Sequence, residues 1–236
     1  MVQKKLQRFA EIETFPNVLI YPENMQGNWN GFFKNNNPLT LELACGKGEY
    51  AVGLGRLYAN RNFIGIDLKG NRIWVGAKTA LEEGLGNVAF IRSHIDKVTN
   101  YFAKDEVDEI WITFPDPQLR NSKMKKRLTH PRYLRLYQQF LKPEGIVHLK
   151  TDSPNLYFFT RMIIDLYGLA LVEDNDNVYG SASIPQDLTI QTHYEKMDIA
   201  GKNTVHHIAF KLNKPLPVEK ETALKEKFIE ENDHLT

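Results

Sequence analysis

Short runs of β-branched and other apolar residues alternate with helix-periodic runs along most of this chain. Strands separated by helices cannot close as tight hairpins, so the pattern specifies a largely parallel sheet wrapped by helices. The strand candidates are Leu39 to Ala44, Asn62 to Asp67, Val88 to Arg92, Asp108 to Phe114, Gly145 to Lys150 and Leu169 to Glu173. A last apolar stretch, Val205 to Leu212, has no helix before it and is expected to return as an antiparallel strand. The helical runs are Glu49 to Ala59, Asn71 to Glu83, Pro131 to Leu141 and Pro154 to Tyr167. Asn71 is the expected N-cap of the second and Gly84 its stop. Trp74 and Trp111 fall at core positions of a helix and a strand, and His206 and His207 should point to opposite sides of a strand, one inward and one outward.

With 236 residues and 42% apolar content, the chain can bury one full core. Residues 1–236 are read as a single domain, in which 1–36 form an extension without a strong period and 214–236 a Lys/Glu-rich tail, either a surface helix or a frayed end. No run reaches the ~20 apolar residues that span a bilayer, and Met1 to Phe9 lack the apolar stretch of a signal peptide. With Cys45 as its one cysteine the chain can form no internal disulfide and no Cys-rich zinc motif, and its seven histidines lack ligand spacing. A cytoplasmic protein with no metal, no membrane partner and a monomeric or homodimeric state is expected.

The overall charge is nearly balanced, but its distribution is not. Pro117 to Pro143 holds eight Lys/Arg (Arg120, Lys123, Lys125, Lys126, Arg127, Arg132, Arg135, Lys142) and no acid, leaving 22 basic against 29 acidic residues elsewhere. So polarised a segment on an acidic body is either a candidate phosphate-binding surface, with Lys123, Lys125, Lys126 and Arg127 as its contacts if the partner is RNA, or a solvated loop and helix face. The apolar stripe Tyr133, Leu134, Tyr137, Phe140, Leu141 would turn the basic residues of that helix outward.

The first strand runs into Glu42-Leu43-Ala44-Cys45-Gly46-Lys47-Gly48-Glu49 and a helix follows at once. In a parallel sheet this is where ligands sit, because glycine lets the backbone come close and helix-start N–H groups point outward. Gly46-x-Gly48-x-x-Ala51, with Asp67 about 20 residues on, also satisfies the dinucleotide fingerprint. Glu49 would repel a pyrophosphate, however, and Glu42 adds negative charge before the loop. A phosphate-free ligand carrying positive charge, such as S-adenosylmethionine, suits the turn better, with Asp67 on its ribose hydroxyls. After the fourth strand, Phe114-Pro115-Asp116-Pro117 holds a carboxylate between two prolines at the sheet edge.

These residues resemble the bacterial tRNA (guanine-N7)-methyltransferases, class I S-adenosylmethionine-dependent enzymes, over Leu39 to Phe210. The resemblance rests on Leu41 to Gly48, Phe63 to Asp67, the Phe114 to Pro117 element with its basic run, Lys150-Thr151-Asp152, and Thr192-His193-Tyr194-Glu195. It implies a Rossmann-like class I fold with a mostly parallel seven-stranded sheet, helices on both faces, S-adenosyl-L-methionine as cofactor and tRNA as substrate. It also implies that Asp116 is catalytic, that Glu42, Gly46, Gly48, Asp67, His94 and Asp116 hold the cofactor, and that Arg120, Asp152, Thr192, His193, Tyr194 and Glu195 bind substrate. Arg120 stands where the family has Lys, Gln118 where it has Trp, and His94 where it has Asp, with Asp96 two residues on. Ala44 replaces a Gly and is tolerable at negative φ.

Guanine N7 carries a lone pair at neutral pH, so its methylation needs positioning rather than a strong base. Carboxylates on N1–H and N2–H₂ would fix the base and stabilise the charge it gains. Asp116, Asp152 and Glu195 are acceptors of this kind. The competing readings are a methyltransferase on another substrate, an NAD-dependent oxidoreductase, and a non-catalytic RNA-binding module.

Overall fold

The structure, a computed structural model, describes residues 2–197 and 204–233. Eight strands form one sheet: β1 (Val18–Ile20), β2 (Leu39–Leu43), β3 (Asn62–Asp67), β4 (Val88–Arg92), β5 (Val107–Thr113), β6 (Leu141–Thr151), β7 (Ala170–Asn175) and β8 (His206–Lys211). Their order is β1-β4-β3-β2-β5-β6-β8-β7. Neighbours from β1 to β6 are parallel, and β8 runs antiparallel to both β6 and β7. The expected seven strands are all present, and the eighth is β1, from the segment read as an extension. Three residues beside β4 are too few to carry a period of their own.

The helices are α1 (Val2–Ile12), α2 (Trp29–Phe33), α3 (Glu49–Leu57), α4 (Gly70–Glu82), α5 (Pro131–Tyr137), α6 (Pro154–Tyr167), α7 (His193–Lys196) and α8 (Lys220–Asp233). Local chemistry sets several of their limits. Ser153 accepts the Leu156 N–H at 3.3 Å to start α6, Pro154 follows, and Gly168 at φ +64° ends it. His130 caps α5 through its ring, accepting the Arg132 N–H at 3.1 Å. α5 stops at Tyr137, four residues short of its apolar stripe, because Leu141 already belongs to β6. Asn71 does not cap α4: the cap position is Lys69, without a side-chain bond, while Gly84 at φ +67° follows the helix end as expected.

Both faces of the sheet are covered. One layer gathers Leu41, Ile64, Ile110, Leu149 and Phe159, the other Tyr50, Phe63, Ile73, Phe90 and Trp111. Coverage on both sides explains why His206 and His207 are both buried, correcting the one-in, one-out expectation: His206 stacks on Tyr157 and His207 on Trp111 and His148. Trp74 is half-buried rather than core, flanked by Arg8 and Lys78. The first 36 residues are integral to the core. α1 packs on α4, with Ile12 buried and Trp74 Nε1 donating to Glu11 at 2.9 Å. Trp29 is buried, donates to the Tyr101 carbonyl at 2.8 Å and stacks on Phe102. The tail forms α8, which buries Leu224 and Phe228; residues 234–236 of that tail lie outside the described residues. No helix among the described residues is long and apolar enough to cross a membrane.

Candidate functional site

The strand order reverses about β2, whose neighbours are β3 on one side and β5 on the other. Parallel sheets open a crevice at such a point, beyond the carboxyl ends of the strands. Ala44, Gly46 and Gly48 take φ of +56°, +57° and +71° in the loop from β2 to α3. Ala44 therefore departs from the negative φ expected of it, in a conformation that costs an L-residue roughly 1 kcal/mol or more. Bonds from Cys45 N–H to the Ile66 carbonyl (3.0 Å) and from Gly48 N–H to the Cys45 carbonyl (2.7 Å) hold the turn. A Cβ on Gly48 would lie 2.3 Å from the Phe90 ring, and one on Gly76 of α4 would lie 2.4 Å from the Lys47 carbonyl. Gly76 went unnoticed in the sequence because it sits inside an ordinary helical run.

Glu42 is buried and both its oxygens are engaged, one accepting the Ala51 N–H at 2.8 Å and the other the Thr113 hydroxyl at 3.0 Å. Burial pushes its pKa up to about 8. The side chain ties β2 to the first turn of α3 and to β5, and so shapes the loop from beneath. Asp67 lies at the loop itself, accepting the Gly46 N–H at 3.0 Å and the Lys69 N–H at 2.8 Å. His94 is exposed just after β4, at the start of a 3-10 turn, while Asp96 pairs with Arg132.

Asp116 is exposed on the same rim, between Phe114 at φ +46° and Gln118 at φ +49°. Its Oδ1 accepts the Gln118 N–H at 3.0 Å, and the Phe114 N–H donates to the Lys150 carbonyl at 2.8 Å. Beside Phe114, a cavity of about 230 Å³ is lined by Asp152, Tyr179, Gln191 and Glu195. Folding thus brings Asp152 and Glu195 together from distant parts of the chain. Thr192 and Glu195 form a reciprocal capping box at the start of α7. Tyr194 lies across the glycine loop, 3.9 Å from where a Gly46 Cβ would be, under the guanidinium of Arg72. His193 is exposed.

Lys150 organises this wall and was missed as a functional residue. Fully buried, it pairs with Glu195 at 3.0 Å and donates to the carbonyls of Leu188 and Ile190, each at 2.9 Å. Burial lowers its pKa, against the pull of Glu195. Tyr179 also donates to Glu195, and burial and that bond raise its pKa. A lysine at an inward position of an apolar strand was the available signal, eclipsed by Asp152 two residues on.

The basic segment divides. Arg120, Lys123, Lys125 and Lys126 are exposed in a 3-10 turn and its cap. Arg127, expected on RNA, is instead fully buried, because its guanidinium packs between Phe159 and Phe228. Of the basic residues of α5, Arg132 faces outward as expected and pairs with Asp96, while Arg135 is half-buried against Glu221; Lys142, beyond the helix, pairs with Asp108.

The glycine loop fits a cofactor that brings its backbone contacts close, since Gly48 leaves no space for a side chain. Asp67 and Asp116 carry carboxylate oxygens that could accept from hydroxyl and ammonium groups. Glu49 opens α3 with negative charge where a pyrophosphate would lie, which favours S-adenosylmethionine over a dinucleotide.

A family model described as "Putative methyltransferase" matches residues 36–208. A tRNA (guanine-N(7)-)-methyltransferase of Porphyromonas gingivalis is 46% identical, the match covering 86% of this chain and 88% of the relative. The enzyme of the same name from Christiangramia forsetii is 45% identical, over 89% of this chain and 98% of that one. Among solved structures, a 30S ribosomal methyltransferase from an uncultured bacterium superposes with TM-score 0.58 at 17% identity, over 80% of this chain and 95% of that one. A variant of the 16S rRNA (adenine(1408)-N(1))-methyltransferase from Catenulisporales acidiphilia, solved with cosubstrate SAM, gives TM-score 0.53 at 13% identity, over 80% and 92%. These likenesses show a class I methyltransferase fold.

Proposed function

The chain belongs to the tRNA (guanine-N(7)-)-methyltransferase family and is an S-adenosylmethionine-dependent methyltransferase acting on guanine N7 in tRNA; from that premise we propose that its target is a variable-loop guanosine, received at the rim formed by Asp116, Asp152 and Glu195. The observation that carries this reading is the meeting, at one edge of the sheet, of the Gly46–Gly48 loop with Asp67 and a cavity bounded by Asp152 and Glu195 beside the Asp116 turn.

When bound, S-adenosylmethionine supplies an electrophilic methyl group on a sulfonium. Gly46, Gly48 and Asp67 would hold it at the loop, with the exposed turn at His94 along its adenine and Glu42 acting through the loop it braces. Asp116 accepts a hydrogen bond from the guanine edge, and Asp152 and Glu195 complete the acceptors on the cavity side. No strong base is required, because N7 has its lone pair free. The work of these carboxylates is to orient the base and to oppose the positive charge that grows on the purine. Thr192 sets Glu195 by capping α7, while His193, Tyr194 and Arg120 would add contacts to the substrate. The buried Lys150 keeps Glu195 facing the cavity.

Taking the base from its stack in folded RNA costs a few kcal/mol. Phosphate contacts by Lys123, Lys125 and Lys126 offset that cost. Tritiated methyl transfer to unmodified tRNA, followed by borohydride and aniline cleavage, tests the assignment. Cleavage at a variable-loop position is expected; incorporation without cleavage there would overturn the target, and no transfer after Asp116→Ala in a folded protein is the companion expectation.

A further inference from the structure

Arg127 is among the largest fully buried side chains, yet its Nε and Nη1 have no hydrogen-bond partner and no carboxylate among the described residues pairs with it. A cation so placed is costly. Its guanidinium sits in the corner of two near-perpendicular rings, 4.4 Å from the centroid of Phe159 and 4.5 Å from that of Phe228 in α8. Those ring faces offset part of the cost. The remaining nitrogen, Nη2, donates to Asn155 Oδ1 at 2.6 Å and to the Gln118 carbonyl at 3.3 Å.

Gln118 is the residue that matters. It is held in a left-handed conformation that its side chain does not favour, and its own N–H donates to Asp116 Oδ1 at 3.0 Å. One residue is therefore gripped by Arg127 at its carbonyl and grips the Asp116 carboxylate at its amide. We propose that Arg127, walled in by Phe228, is a positioning residue for methyl transfer: it fixes the Gln118 turn that orients Asp116, and so makes the C-terminal helix part of the support of the active site. The inference rests on the reading of Asp116 at the reaction centre.

The test uses the full chain, saturating S-adenosylmethionine and unmodified tRNA, with kcat, KM and tRNA affinity across a salt series measured for Arg127→Met, Arg127→Lys and Phe228→Leu. Displacing a positioned group by an ångström can cost roughly 100-fold. Arg127→Met should lower kcat roughly 10- to 100-fold, with KM within about twofold and the salt dependence unchanged. Arg127→Lys should recover part of the loss, because an ammonium can still reach one acceptor, and Phe228→Leu should show a smaller loss of the same kind. If Arg127→Met does not fold, the other two carry the comparison.

In an Asp116→Asn background with measurable single-turnover activity, Arg127→Met should add less than about twofold if it acts through Asp116. Wild-type kcat in all three single variants would overturn the proposal, as would weakened binding with a flattened salt dependence. A full additional loss on top of Asp116→Asn would place Arg127's action elsewhere. Failure of the Asp116 reading is separately visible, as undiminished turnover in Asp116→Asn alone.

Discussion

Acidification should steadily destabilise this protein, because buried imidazoles, His130, His148 and His207 among them, are held neutral. Burial lowers His130 to about 4 and His148 and His207 to about 3, against 6.5 for the free side chain. The geometry agrees: His148 Nδ1 lies 3.1 Å from His207 Nε2, a hydrogen bond that requires one of the two nitrogens to be bare. For a base depressed on folding, the stabilisation is fully present above 6.5 and is lost as pH falls toward 3 to 4. Near pH 5.5 the unfolded chain thus binds nearly three protons that the folded chain refuses. Glu42 opposes this, since its carboxyl, raised to about 8 from 4.5, gives a contribution complete below 4.5 and lost as pH rises through 8. The net difference is about two protons, and at roughly 1.4 kcal/mol per proton per pH unit the stability should fall by about 3 kcal/mol per unit below pH 6. Two such units remove much of the 5–15 kcal/mol that holds an ordinary domain. Urea unfolding at fixed ionic strength from pH 8 to pH 5 measures it, with a maximum expected near neutrality and a shallower acid limb in His148→Gln. A profile that is flat or rising between pH 6.5 and 5 would refute the reasoning.

Gly48→Ala combines a strained positive φ with a Cβ 2.3 Å from Phe90, so it should cost about 2–4 kcal/mol and abolish cofactor binding by calorimetry; an unchanged melting temperature would show that the loop yields easily. Lys150→Met leaves the Glu195 carboxylate buried without its cation and should cost roughly 3–5 kcal/mol, seen as early proteolysis of segment 186–195. Replacing Lys123, Lys125 and Lys126 together by Ala should weaken tRNA binding and reduce the slope of log K against log salt by about 2 to 3. An unaltered slope in that triple variant would remove these lysines from the phosphate grip.

Much of the site could be read from sequence because its chemistry is local. Gly46 and Gly48 announce a turn, Asp67 ends a strand at a fixed spacing, and two prolines stiffen Asp116; each signal lies within a few residues. The failures have equally particular causes. Ala44 and Gln118 adopt positive φ without being glycine, held there by hydrogen bonds from other segments. The charge run looked uniform, but its members met partners distant in sequence: Glu221 took Arg135, Asp108 took Lys142, and a tail phenylalanine covered Arg127. β1 showed no period because its three residues are completed only by pairing with β4, whereas the eleven residues of α1, which pack on α4, were overlooked among the Lys/Arg-rich start of the chain.

Sequence by itself determined the alternation of strands and helices and the identity of the loops that carry carboxylates, since periodicity and turn chemistry act between near neighbours. Tertiary structure alone decided which charges face water, that Lys150 supports Glu195, and that the C-terminal helix reaches the Asp116 turn through Arg127. Those outcomes depend on desolvation and on partners brought from far along the chain, and a residue's exposure is a property of the packed assembly rather than of its neighbours in sequence.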